Sequence, residues 1–176
     1  MHNPIVIIGG MGPQASHRLH GLLLQKSEPF HSGQGHEYPG IMHCSLPIED
    51  FISDRAKATA AVSQINNLSQ VVGQLQPAVT VLACNTAHLL VPLVPMFLDF
   101  SFVSMIDAVI AACRRTCVQK IGLLASPTTI ATGLYATAMA EQQVDCDAIL
   151  LGCTELPLAF DDHRFSLPVI NCRSTF

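Results

Sequence analysis

Charge is scarce in this sequence. Only 12% of residues are charged against 49% apolar, a balance that describes a core-rich globular chain and excludes a disordered one. The net charge of -4 contains no basic run, which argues against nucleic acid as a partner. No apolar stretch reaches the ~20 residues that a membrane helix needs. The start, Met1-His2-Asn3-Pro4, lacks the basic segment and apolar core of a signal peptide, so a cytoplasmic protein is expected. No Cys-x-x-Cys pair is present, which removes the simplest redox reading. The seven cysteines are odd in number and mostly sit in apolar runs, as reduced thiols do, rather than forming a disulfide framework. Cys113 and Cys117 are one helical turn apart. No second Cys/His pair has ligand spacing nearby, so they read as helix packing and no metal site is expected.

What is present is a pair of matched motifs. Val79-Thr80-Val81-Leu82-Ala83 runs into Cys84-Asn85-Thr86, and Ala148-Ile149-Leu150-Leu151-Gly152 runs into Cys153-Thr154-Glu155. A continuous apolar run of this length is the mark of a strand buried on both faces of a parallel sheet. Sites in such sheets gather just past the carboxyl ends of the strands, where both cysteines fall. A lone cysteine there is commonly packing. The amide and hydroxyl residues that follow each one are poor core fillers but good partners for a carboxylate.

Strands alternate with helices along the chain, which predicts an α/β fold with mostly parallel sheets flanked by helices. The first strand, Ile5-Val6-Ile7-Ile8, leads through Gly9-Gly10-Met11-Gly12 into a helix that opens at Pro13. That unit is echoed by Ile121-Gly122-Leu123-Leu124-Ala125-Ser126-Pro127, and each copy lies upstream of one cysteine motif. Two pseudo-symmetric lobes are therefore expected, residues 1–100 with Cys84 and residues 101–176 with Cys153. The second is short: about 79 residues separate Ile5 from Cys84, but only about 32 separate Ile121 from Cys153. The shortfall falls at 143–147, where a strand and its covering helices are expected to be absent. The glycine turn does not have the spacing of a dinucleotide or P-loop motif, and a carboxylate suits its small size better.

In these segments, with Cys84-Asn85-Thr86-Ala87-His88, Gly133-Leu134-Tyr135 and Gly152-Cys153-Thr154-Glu155-Leu156-Pro157, the chain resembles the aspartate/glutamate racemase superfamily, most closely its aspartate racemase branch. The resemblance implies two α/β lobes facing a shared site, racemisation by a pair of cysteines without any cofactor, a dicarboxylic amino acid as substrate, and a homodimer. It also places Thr129 with the binding residues. The family carries about fifty more residues before the second cysteine motif, including a basic residue used on the distal carboxylate.

Racemisation removes an α-proton from one face and returns a proton to the other, so it needs two groups, one starting as thiolate and one as thiol. Cys84 and Cys153 are the candidates, and a helix N-terminus after each would favour thiolate. Asn85, Thr86 and Thr154 would hold the α-carboxylate and its developing charge, with backbone donors from Gly10 and Met11. Arg55 is the candidate for a distal carboxylate, or else a solvated surface residue. His88 could tune Cys84, or cap and pack its helix. Three alternatives remain open. One is a related hydantoin racemase or maleate isomerase. Another is a decarboxylase on the same scaffold, which needs only one cysteine and is disfavoured by the presence of both. The last is a catalytically impaired small-molecule-binding member of the fold.

Overall fold

Ile5–Gly9 (β1) is buried along nearly its whole length, as its unbroken branched apolar sequence requires. The computed structural model describes residues 3–115, 121–141, 148–152 and 169–171. β1 pairs in parallel with Ile41–Ser45 (β2) on one side and Val79–Leu82 (β3) on the other, and Phe102–Val103 (β4) pairs with β3, giving the order β2-β1-β3-β4. Alternate residues serve opposite faces, as the pleat dictates. Val6, Ile8, Leu82 and Cys84 share a cluster with Ala61, Ile65 and Val72 of the helix Ala58–Leu75 (α2). Ile7, Val81 and Ala83 turn the other way, onto Leu19 of the helix Pro13–Ser27 (α1). Each large apolar side chain so buried contributes on the order of 1.5–3 kcal/mol.

A short helix Met96–Asp99 (α3) precedes β4, and Met105–Arg115 (α4) leads to the second sheet. There Ile121–Leu124 (β5), Ala148–Leu151 (β6) and Val169–Asn171 (β7) lie in parallel in that order. Between β5 and β6 run the helices Pro127–Ala131 (α5) and Leu134–Glu141 (α6). The order β5-β6-β7 repeats β1-β3-β4. Among the described residues the second sheet has no counterpart of β2. The 143–147 connection lies outside the described residues.

Three local expectations are refined, and one strand is added. The first sheet takes its fourth strand from beyond residue 100, because Phe102–Val103 pairs with Thr80 and Val81. The helix expected after Ala125 is two helices, broken where Gly133 takes a left-handed φ of 63°. The turn after Cys84 is a 3-10 helix, Thr86–Leu93, with Pro92 inside it. β7 is three residues long, too short for any periodicity to show.

Candidate active site

The glycine turn is shaped by close approach. Gly10 has φ 104°, and a Cβ on it would lie 1.7 Å from the Leu46 carbonyl oxygen, so only glycine lets the two backbones meet here. The Leu46 N–H donates to the Gly9 carbonyl at 3.1 Å. Gly12, at φ 95°, then turns the chain into α1 with Pro13 at the first helical position. Gly10, Met11 and Gly12 form one wall of a cleft of about 310 Å³, and residues 48–53 form the other. The charged side chains on that wall are Glu49 and Asp50. Glu49 pairs with Lys57 at 3.1 Å in an exposed contact, and Asp50 accepts from the Ser53 N–H. Arg55 stands apart: it is exposed at the start of a 3-10 turn capped by Asp54 and does not line the cleft.

Cys84 follows directly from β3. The Ala83 N–H donates to the Ile8 carbonyl at 2.8 Å, which brings Cys84 alongside the Gly9–Gly10 turn. The thiol residue is 3% exposed and packs in the cluster that holds Met11 and Phe51. His88 is bound through both ring nitrogens to main chain. Nδ1 donates to the Cys84 carbonyl at 2.9 Å, and Nε2 accepts the Met105 N–H at 3.0 Å. That pattern requires the neutral ring, and burial pushes its pKa below the usual histidine value. His88 therefore ties the Cys84 backbone to the first residue of α4, which is the packing alternative of the sequence analysis.

Asn85 and Thr86 face residues from the second half of the chain. The Thr86 hydroxyl lies 2.7 Å from that of Thr129 and 3.1 Å from that of Ser126. Ser126 and Thr129 are themselves 3.0 Å apart, which closes a triangle of hydroxyls. Ser126 also caps α5, accepting the Thr129 N–H. Asn85 Oδ1 accepts the phenol O–H of Tyr135. The neighbouring Thr128 hydroxyl donates to the Ile52 carbonyl, joining α5 to the cleft wall. Gly10, Met11, Cys84, Asn85, Thr86 and Thr129 are thus brought to one region, where the carboxyl ends of β1 and β3 meet the start of α5.

Gly152 is buried, and its N–H donates to the Leu124 carbonyl at 2.8 Å. Cys153 and Thr154 lie outside the described residues, as do Glu155 and Cys117. Ser126 and Tyr135 are members of the cluster to which sequence reasoning gave no role. The Ser-Pro pair at 126–127 carried a signal, since it is an N-cap followed by proline at the first helical position. Among the described residues no group of histidine, cysteine and carboxylate side chains could hold a metal ion, and no helix is long and apolar enough to cross a membrane.

The family model described as Asp/Glu/Hydantoin racemase matches residues 8–145, and the chain belongs to that family. A glutamate racemase of Shewanella denitrificans is 30% identical over 105 residues, 59% of this chain and 38% of that protein. The match to such curated relatives therefore spans less than half of their length. Among solved structures, an aspartate racemase homologue from Pyrococcus horikoshii aligns with a TM-score of 0.79 at 20% identity, covering 98% of this chain and 95% of the other. The aspartate racemase of Picrophilus torridus aligns at 0.75 and 22% identity, covering 97% and 89%. At these identities the likeness is one of fold.

Proposed function

We propose that the protein is an amino-acid racemase acting on aspartate or glutamate without pyridoxal phosphate or any other cofactor, with Cys84 and Cys153 as the two acid–base groups. The observation that carries this reading is the placement of Cys84-Asn85-Thr86. A thiol, a carboxamide and a hydroxyl stand together at the end of a central strand, beside a glycine turn and across from Ser126 and Thr129. Family membership and the glutamate and aspartate racemases named above support it.

In this reading one thiolate takes the α-proton and becomes a thiol, while the electron pair moves onto the α-carboxylate as an enolate-like charge. The opposite thiol gives its proton to the other face of the α-carbon and is left as thiolate. The two enantiomers start from opposite protonation states, and exchange with water restores the starting one. Neutral donors from Asn85, Thr86 and Thr129, with Thr154, would stabilise the developing charge, because fixed dipoles need no rearrangement as it forms. Gly10 and Met11 would supply backbone contacts, and Arg55 would have to swing inward to meet a distal carboxylate. The protein would work in the cytoplasm as a homodimer of two-lobed subunits, with residues 1–100 completed by β4 forming the first lobe and the rest of 101–176 the second.

Incubation of the purified protein with L-aspartate and L-glutamate, followed by chiral chromatography, tests the reading. The D-isomer should accumulate with no added cofactor, and Cys84→Ser should abolish it. A protein that binds either amino acid but never forms the D-isomer would instead match the impaired-binder alternative.

A further inference from the structure

Tyr135 is the largest fully buried side chain among the described residues, at 1% exposure, and it carries a hydroxyl that phenylalanine, of nearly the same volume, lacks. Burying that hydroxyl is unfavourable unless it is hydrogen-bonded, so its partner explains its presence. The partner is Asn85 Oδ1, 50 residues away in sequence and next to Cys84. The ring of the same tyrosine lies against Gly152, the residue before Cys153. A Cβ at 152 would come within 3.0 Å of the Tyr135 ring and 2.6 Å of Leu123 Cδ1. One side chain thus touches the residue after the first cysteine and the residue before the second. It is set there by the left-handed Gly133, from whose carbonyl α6 starts.

We propose that Tyr135 is a positioning residue for the two-thiol reaction: its O–H orients the Asn85 carboxamide beside Cys84, and its ring packs on Gly152 at the end of β6. The inference rests on the racemase reading. A carboxamide can turn end for end with almost no change in shape, so only hydrogen bonds select which end faces the substrate. A phenol donating to Oδ1 selects the state with oxygen toward Tyr135 and the amide nitrogen turned away from it. Without the phenol one of the hydrogen bonds that favours this state is lost, and the two states draw closer in energy.

The test is a mutant cycle on the full protein with Tyr135→Phe, Asn85→Ala and the double variant, reading kcat, KM and Tm. Because positioning errors act on the reacting geometry, Tyr135→Phe should lower kcat about tenfold while KM stays within about twofold. In the Asn85→Ala background, the added loss of the phenol should change kcat less than about twofold, since the group through which it acts is gone. Fully additive losses, or an unchanged kcat in Tyr135→Phe, overturn the proposal. A lowered Tm with kcat intact marks a purely structural tyrosine and also overturns it.

If Tyr135→Phe does not fold, 3-fluorotyrosine incorporated in a Tyr38→Phe background keeps the volume and makes the phenol more acidic. With the donor so altered, kcat should change by about twofold or more while KM holds, and an unchanged kcat counts against the role. Labelling of Cys84 by iodoacetamide reads the same contact without turnover. Tyr135→Phe should change the Cys84 rate about threefold or more relative to Cys44, following the thiol's altered surroundings. A Cys84 rate unchanged by Tyr135→Phe overturns the inference even if the protein racemises nothing, whereas a changed rate without racemisation leaves the contact of Tyr135 with the Cys84–Asn85 turn standing and removes the racemase reading.

Discussion

Thr86 and Thr129, 43 residues apart in sequence, hold their hydroxyl oxygens 2.7 Å apart in a buried seam between the first and second halves of the chain. Neither is more than 3% exposed. Removing one hydroxyl leaves the other buried with a lost partner, which costs about 1–3 kcal/mol. Thr86→Val and Thr129→Val should each lower unfolding free energy by that amount in urea melts. The double variant should cost less than the sum, because the shared bond is lost only once. Strict additivity would mean that the two hydroxyls do not stabilise each other.

Gly10 yields the sharpest steric expectation. Gly10→Ala places a Cβ 1.7 Å from the Leu46 carbonyl oxygen at a φ of 104°, so both backbone strain and a direct clash oppose it. A loss of at least about 2–3 kcal/mol is expected, from strain alone of this kind. Thermal melts of Gly10→Ala and Gly21→Ala side by side check this, since a Cβ at Gly21 meets nothing within 4 Å. Equal Tm values for the two would contradict the geometry.

His88 makes stability depend on pH. Its folded pKa is lowered, first by burial, against the partial offset of hydrogen bonds at Cys84 and Asn85 and of the Asp107 charge. The unfolded chain therefore takes up a proton that the folded chain refuses. Stability from this residue is fully present above the unfolded value of about 6.5 and is lost as pH falls below it toward the lowered folded pKa, at no more than about 1.4 kcal/mol per pH unit. His43, also lowered, acts with the same sign. His88→Gln keeps a donor and an acceptor but does not titrate, so the difference in urea midpoint between pH 7.5 and 5.5 should shrink. An unchanged difference would assign the acid sensitivity elsewhere.

Much of the fold was legible because β1, β3 and β6 are continuous branched apolar runs, and the glycines and prolines at 9–13 and 126–127 mark where strands turn into helices. The region around Cys84 was legible for the same reason: parallel strands end together, so a motif after β3 must lie beside the turn after β1. What the sequence could not show is contact between distant residues. Nothing in Tyr135 alone announces Asn85, and Arg55 carries the right chemistry for a carboxylate yet sits on an exposed turn, where loop geometry rather than residue type decides. β7 and the break at Gly133 were missed because three residues and a single φ leave no periodic trace.

The central claim is that proton transfer at the α-carbon runs through a cysteine on each face. Its most direct test is α-hydrogen exchange of L-glutamate and L-aspartate in D2O, followed by NMR, with the protein as purified and no cofactor added. The account predicts that one of the two amino acids gains α-deuterium as its D-isomer appears, and that Cys84→Ser and Cys153→Ser each stop racemisation, because each removes one of the two groups. Racemisation that persists at the unmodified rate in either variant would contradict it.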